Sequence, residues 1–214
     1  MHPRRPSPTA RRKPWAPLRA AACLAVCALG LLCPTPAAPQ RVDADKLVKV
    51  QAAFVLNFLR LTRWPEGGPE AASPLEVLVA GDPGVAAALT AAVRGREVHG
   101  RAVEVVGVSF PAAPPDGRSL PAVRQRLAAA EVLFLGDVPP AWRPRVADLL
   151  KEDPERARAR LVVTRERWGV DERAAHLSFA LSEGRVVFLL SMSAVEASPL
   201  RLSSKLMALA ERVP

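Results

Sequence analysis

The sequence predicts an α/β fold: three layers, with a mostly parallel sheet carrying helices on both faces and a C-terminal antiparallel hairpin. Three observations predict it. Short apolar runs at residues 75–80, 131–136 and 160–164 are too short for buried helices and read as strands. Helix-length segments separate them, and a parallel pair needs such a crossover. Two later runs, 177–181 and 186–190, are joined by only Ser182-Glu183-Gly184-Arg185, a turn that returns the chain antiparallel.

Each element has a local reason. Residues 44–62 form the first helix, because Leu47, Val50, Phe54, Val55, Phe58 and Leu61 fall near one face and Asp43 stands at its N-cap. Trp64-Pro65-Glu66-Gly67-Gly68-Pro69 ends it. After strand 75–80, Gly81-Asp82-Pro83-Gly84 turns into a second helix that reaches Val93. Asp82 caps it, and Pro83 occupies the first turn, where no amide donor is required. Residues 101–110 alternate and are β-branched, the pattern of a strand. A Pro-rich loop over 111–117 leads to a helix at 121–130, the strand at 131–136, a helix at 142–150 and the strand at 160–164. A turn region at 167–172 precedes the hairpin, and a closing helix is predicted over 202–212. No internal repeat and no second globular region is visible, so residues 39–214 read as a single α/β domain.

The first 38 residues read differently, as a signal peptide. Arg4, Arg5, Arg11, Arg12, Lys13 and Arg19 precede an apolar run from residue 20 to 33, followed by Pro34-Thr35-Pro36-Ala37-Ala38. Fourteen apolar residues make a helix of about 21 Å, short of a hydrocarbon core of about 30 Å. This predicts cleavage and export to the periplasm rather than an anchor. The Arg11-Arg12 pair leaves both export routes, general secretory and twin-arginine, open.

Removing that segment changes the electrostatics. The whole chain carries 30 basic and 21 acidic residues, a net +9. Six basic and no acidic residues leave with residues 1–40, so the remainder holds 24 against 21, a net +3. No nucleic-acid partner is expected at that charge. Cys23, Cys27 and Cys33 leave as well, so the exported domain can form no internal disulfide, thiolate metal site or cysteine nucleophile.

The catalytic inventory is thin. His99 and His176, outside the leader, show no metal-ligand spacing and read as surface or capping histidines. Gly81-Asp82-Pro83-Gly84 opens a helix as phosphate-binding loops do, but Asp82 puts a negative charge where a phosphate would sit. Ser191, Ser193, Ser203 and Ser204 lack a nucleophile elbow, and Glu66, Glu70 and Glu76 form no acid/base pair. Trp142 and Trp168 read as packing residues at the sheet edge. The residues point to a non-enzymatic protein with no cofactor and no metal.

Residues 46–212 resemble the YfiR-like family of periplasmic regulatory proteins. The resemblance is carried by Lys49-Val50-Gln51-Ala52-Ala53-Phe54-Val55-Leu56-Asn57-Phe58 leading to Thr62-Arg63-Trp64-Pro65, and by Leu75 to Gly81 with Asp82-Pro83. Glu131-Val132-Leu133-Phe134-Leu135-Gly136 continues it. The C-terminal block is its most specific part: Leu177-Ser178-Phe179, Gly184-Arg185-Val186-Val187-Phe188 and Leu200-Arg201-Leu202-Ser203-Ser204-Lys205-Leu206. Two departures stand out. Ala130 precedes the central strand where members often carry Cys, and Glu172-Arg173-Ala174-Ala175-His176 replaces a Gly-rich turn.

The resemblance implies a regulator that binds, and inhibits, a membrane signalling protein such as a diguanylate cyclase; a histidine kinase or an outer-membrane protein is the alternative partner, and a homodimer is compatible with the sequence. Arg60, Arg63 and Trp64, with mixed charge and aromatic surface at the end of the first helix, are the expected partner contacts. The rival expectation is a small-ligand-binding envelope protein that uses the strand ends near Gly81 and Gly136, where α/β sheets bind ligands.

Overall fold

A computed structural model describes residues 44–65, 73–111, 119–152, 159–165, 175–182 and 185–213. The segment expected to be a signal peptide, Asp43, Glu66, Glu70 and Trp168 lie outside these residues. Helix α1 (Ala44–Leu61) leads into β1 (Thr62–Arg63), followed by β2 (Leu75–Ala80), α2 (Pro83–Val93), β3 (Glu97–Val98) and β4 (Arg101–Val108). Then come α3 (Ser119–Ala129), β5 (Val132–Leu135), α4 (Arg143–Lys151), β6 (Leu161–Thr164), β7 (Leu177–Ser182) and β8 (Arg185–Ser191). The chain closes with α5 (Met192–Glu196), β9 (Arg201–Leu202), α6 (Ser204–Leu209) and β10 (Glu211–Val213).

The main sheet has strand order β10-β8-β7-β6-β5-β2-β4-β3. Neighbours from β4 through β7 pair in parallel, with Val77 beside Val105 on one side and Val132 on the other. β7 and β8 form the antiparallel hairpin, from Leu177 opposite Leu190 to Ser182 opposite Arg185. The predicted class is therefore the observed one, an α/β sheet with an antiparallel C-terminal pair.

Alternation along the strands divides the core in two, because successive side chains point to opposite faces. Val77, Val79, Val132, Phe134, Leu161 and Val163 meet α1 and α2. Leu78, Ala80, Leu133, Leu135 and Val162 meet residues of α3 and α4 such as Leu127, Val146 and Leu149. All four residues of β5 are buried, as are all four of β6, which is why these strands read as continuous apolar runs. Helix α1 drives Val55, Phe58 and Leu59 into its face of the sheet. There Phe58 lies edge-on to Phe188 at 5.0 Å between ring centroids, and Phe54 contacts both Phe179 and Phe188. Losing such a ring from a packed core destabilises by about 3–5 kcal/mol.

Local rules explain the helix starts. The Asp82 carboxylate accepts from the Val85 amide at 3.0 Å and Pro83 sits in the first turn, as expected from sequence. Ser191 caps α5 and Ser203 caps α6 through the amides of Ala194 and Leu206. Trp142 is fully buried, as predicted for a packing residue, and its indole N–H donates to the Pro111 carbonyl at 2.9 Å.

Three expectations are corrected. The closing helix does not span 202–212: α6 stops at Leu209, Ala210 is extended, and residues 211–213 pair in parallel with Leu189–Ser191 of β8. The unsatisfied outer edge of β8 gains backbone hydrogen bonds that a longer surface helix could not supply. The first helix ends one residue early, because Thr62 joins a strand. His176 is not a surface residue; it is buried at the start of β7.

Candidate functional site

The end of α1 is held by three distant parts of the chain. Thr62 and Arg63 pair antiparallel with Leu202 and Arg201, making a two-strand ribbon separate from the main sheet. The Ser203 amide donates to the Leu61 carbonyl at 2.9 Å. His99 Nε2 lies 3.1 Å from the Leu59 carbonyl and 2.8 Å from the Thr62 carbonyl, so its N–H serves two carbonyls freed at the helix terminus. The capping role anticipated for His99 is observed, and His99 reaches it with φ of 54° in the left-handed region.

The ribbon has an inside and an outside. Thr62 is buried and Leu202 half-buried, so they face inward. Arg63 and Arg201, their neighbours in register, are exposed and face outward together. Trp64 follows, half-buried against the core, with its ring edge toward His99 at 6.4 Å between centroids. Its indole N–H is buried and finds no acceptor among the described residues. Arg60 is exposed in the last turn of α1, where a cation complements the helix dipole. Arg60, Arg63 and Trp64 thus lie within one stretch at the helix end. Sequence reasoning missed Arg201, the residue placed opposite Arg63, because nothing local links positions so far apart.

The strand ends proposed by the rival reading are filled. A Cβ added at Gly81, which has φ of +76°, would lie 2.6 Å from the Asp137 carbonyl oxygen, and one at Gly136 would lie 2.7 Å from the Asp82 Cβ. Backbone bonds lace the two turns: the Gly136 amide to the Ala80 carbonyl at 2.8 Å and the Asp137 amide to the Gly81 carbonyl at 3.2 Å. The Arg165 guanidinium pairs with both Asp82 and Asp137 above them. An Asp82 carboxylate at the α2 N-terminus, neutralised by Arg165, occupies the place of a bound anion. These packed turns leave no room between Gly81 and Gly136 for a ligand.

Other polar groups are structural. Arg101 and Glu131 pair at 2.9 Å, both mostly buried, and Arg101 also donates to the Ser73 and Pro74 carbonyls. Burial, with Glu104 nearby, raises the Glu76 carboxyl above its ordinary value, partly opposed by Arg126. Burial likewise lowers His176 to about 4, so it is neutral, and its Nδ1 accepts from the Val162 amide at 3.3 Å. An open groove of about 400 Å³ lies beside β4, lined among others by Thr90, Val93, Arg94, Arg96 and Val103. Among the described residues no His, Cys, Asp or Glu group is arranged to hold a metal, and no helix is long and apolar enough to cross a membrane.

Compared with known families, residues 48–211 match the model of the family described as YfiR/HmsC-like. No curated protein matches the chain.

Proposed function

The chain belongs to the YfiR/HmsC-like family, and from that membership we propose that it is an exported regulator that binds and inhibits a membrane diguanylate cyclase. Proteins of this family are periplasmic and regulate cyclic-di-GMP signalling rather than catalyse a reaction. One observation carries the reading: the match runs from α1 through β10, nearly the whole described fold. The proposed working unit is residues 39–214, released by cleavage of the leader at about residue 38.

Arg60, Arg63 and Trp64 are the proposed contact surface. Two are exposed cations, and the third is a half-buried ring whose N–H finds no acceptor among the described residues. Such aromatic and arginine groups supply much of the energy at protein interfaces. The filled turns at Gly81 and Gly136 favour this outer surface over a small-molecule site at the strand ends.

The test is cellular. Deleting the gene should raise cyclic-di-GMP, and restoring the wild-type chain should lower it again. A chain carrying Trp64→Ala with Arg60→Glu should be exported and folded at growth temperature, melting lower because Trp64 packs on the core and Arg60 complements the helix dipole, yet fail to lower the nucleotide. An unchanged pool after deletion would count against regulation of a cyclase.

A further inference from the structure

Opposed charges on the ribbon identify what kind of partner surface it fits. Arg63 and Arg201 are directly opposite in an antiparallel pair, where Cβ atoms stand about 4.5–5.5 Å apart and like charges repel. Both side chains are exposed and leave the same face, since Thr62 and Leu202 take the other. Three arginines elsewhere are matched internally, Arg101 by Glu131, Arg124 by Glu152 and Arg165 by Asp82 and Asp137. Arg94, Arg96 and Arg126 are exposed without such an ion pair among the described residues, but none of them stands opposite another arginine in a strand pair. Neither Arg63 nor Arg201 has a carboxylate within ion-pair distance among the described residues. Arg60 is accounted for by the helix end it terminates; among the described residues nothing plays that part for the cross-strand pair.

We propose that the outward face of the ribbon, Arg63 with Arg201, docks a carboxylate-bearing segment of a protein partner. The proposal rests on the partner-binding reading above and adds the partner's chemistry and a second strand to it. Two guanidinium forks side by side offer donors to one or two carboxylates in planar, bidentate geometry, which a point charge such as Lys cannot reproduce. Bringing in a carboxylate relieves the cross-strand repulsion, so the bound state gains twice from the same residues. A lipid surface fits less well: the inward Leu202 and the half-buried Trp64 pack on the core, leaving no apolar group of the ribbon to enter a bilayer.

The test titrates the leaderless chain at low salt with a hexaglutamate peptide and follows the arginine Nε–H and Trp64 indole resonances. The expected result is a saturable shift at Arg63 and Arg201, weakened at least tenfold by R63Q/R201Q and only in part restored by R63K/R201K. The pair R63Q/R201Q should melt at or above the wild-type temperature, which separates lost docking from lost fold. Shifts confined to other arginines, or no shift, would overturn the proposal. So would phosphatidylglycerol vesicles binding through this pair while the peptide does not, or inorganic phosphate competing equally with the peptide. A silent peptide together with loss of control by the Trp64→Ala, Arg60→Glu chain removes carboxylate docking and leaves regulation standing. Peptide binding with no cyclic-di-GMP change on deletion does the reverse.

Discussion

Two regions of this molecule hold arginine in opposite ways. At the strand ends, Arg165 lies over the paired turns of Gly81 and Gly136 and faces two carboxylates, one of them the buried Asp82. At the ribbon, Arg63 faces Arg201 across a strand pair, and both point to solvent. The first arrangement satisfies itself and closes a place where α/β sheets commonly bind ligands. The second is electrostatically incomplete and open. Removing an arginine should therefore damage the fold in one region and the recognition in the other.

The largest effect is expected from Arg165→Ala. It leaves the Asp82 carboxylate buried without its guanidinium, which should lower stability by about 4 kcal/mol, read by urea unfolding. Adding Asp82→Ala should recover part of that loss in a double-mutant cycle, though the helix cap goes with it. Next comes Gly81→Ala, which places a Cβ 2.6 Å from the Asp137 carbonyl oxygen at φ of +76°. A loss of about 3 kcal/mol is expected. A thermal melt indistinguishable from wild type would show that the turns are not locked together.

A third test sets a buried titratable group against the exposed pair. His176 is held neutral with its value lowered to about 4 from 6.5 by burial, so the unfolded chain binds the proton more readily. Its contribution is fully present above pH 6.5 and is lost as pH falls toward 4; between pH 7 and 5 the loss should be about 2 kcal/mol. Unfolding of the wild type and of His176→Asn at both pH values measures it, and the variant should lack this slope. The smallest change in stability belongs to R63Q/R201Q, expected within about 0.5 kcal/mol and in the stabilising direction. A large destabilisation there would dissolve the contrast between the two regions.

Much of the fold is legible along the chain because it is encoded over short distances. Continuous apolar runs gave the central strands, Asp82-Pro83 gave a helix start, and Ser182-Glu183-Gly184-Arg185 gave the hairpin. What resisted reading depends on distant partners. Residues 206–212 are locally helical in composition, yet the open edge of β8 draws 211–213 into a strand. Two-residue strands such as β1 and β9 carry no periodicity at all. His176 looks like any strand-leading polar residue until Val162 is seen to donate to it.

The candidate surface was half legible for the same reason. Arg60, Arg63 and Trp64 are adjacent in sequence at a helix end, and chain order alone groups them. Arg201 joins them only through register, and which carbonyls His99 caps is set by side-chain contacts with Leu59 and Thr62, far from it in sequence. Arg165 was invisible as the counter-ion of Asp82, because strand order, not sequence order, brings β6 near β2.

The ribbon also sets a schedule. Thr62 pairs with Leu202, residues 140 positions apart, and contacts between such distant positions are slow to form. On the general secretory route, one of the two left open by the leader, the chain would cross extended and N-terminus first, with residue 62 arriving long before residue 202. The face that carries Arg63 and Arg201 would then be assembled only after nearly the entire chain had arrived and folded; the twin-arginine route would carry the ribbon already formed. A truncated copy lacks that face, and on the proposed reading such a copy would leave the partner unoccupied, so that docking would demand a complete chain.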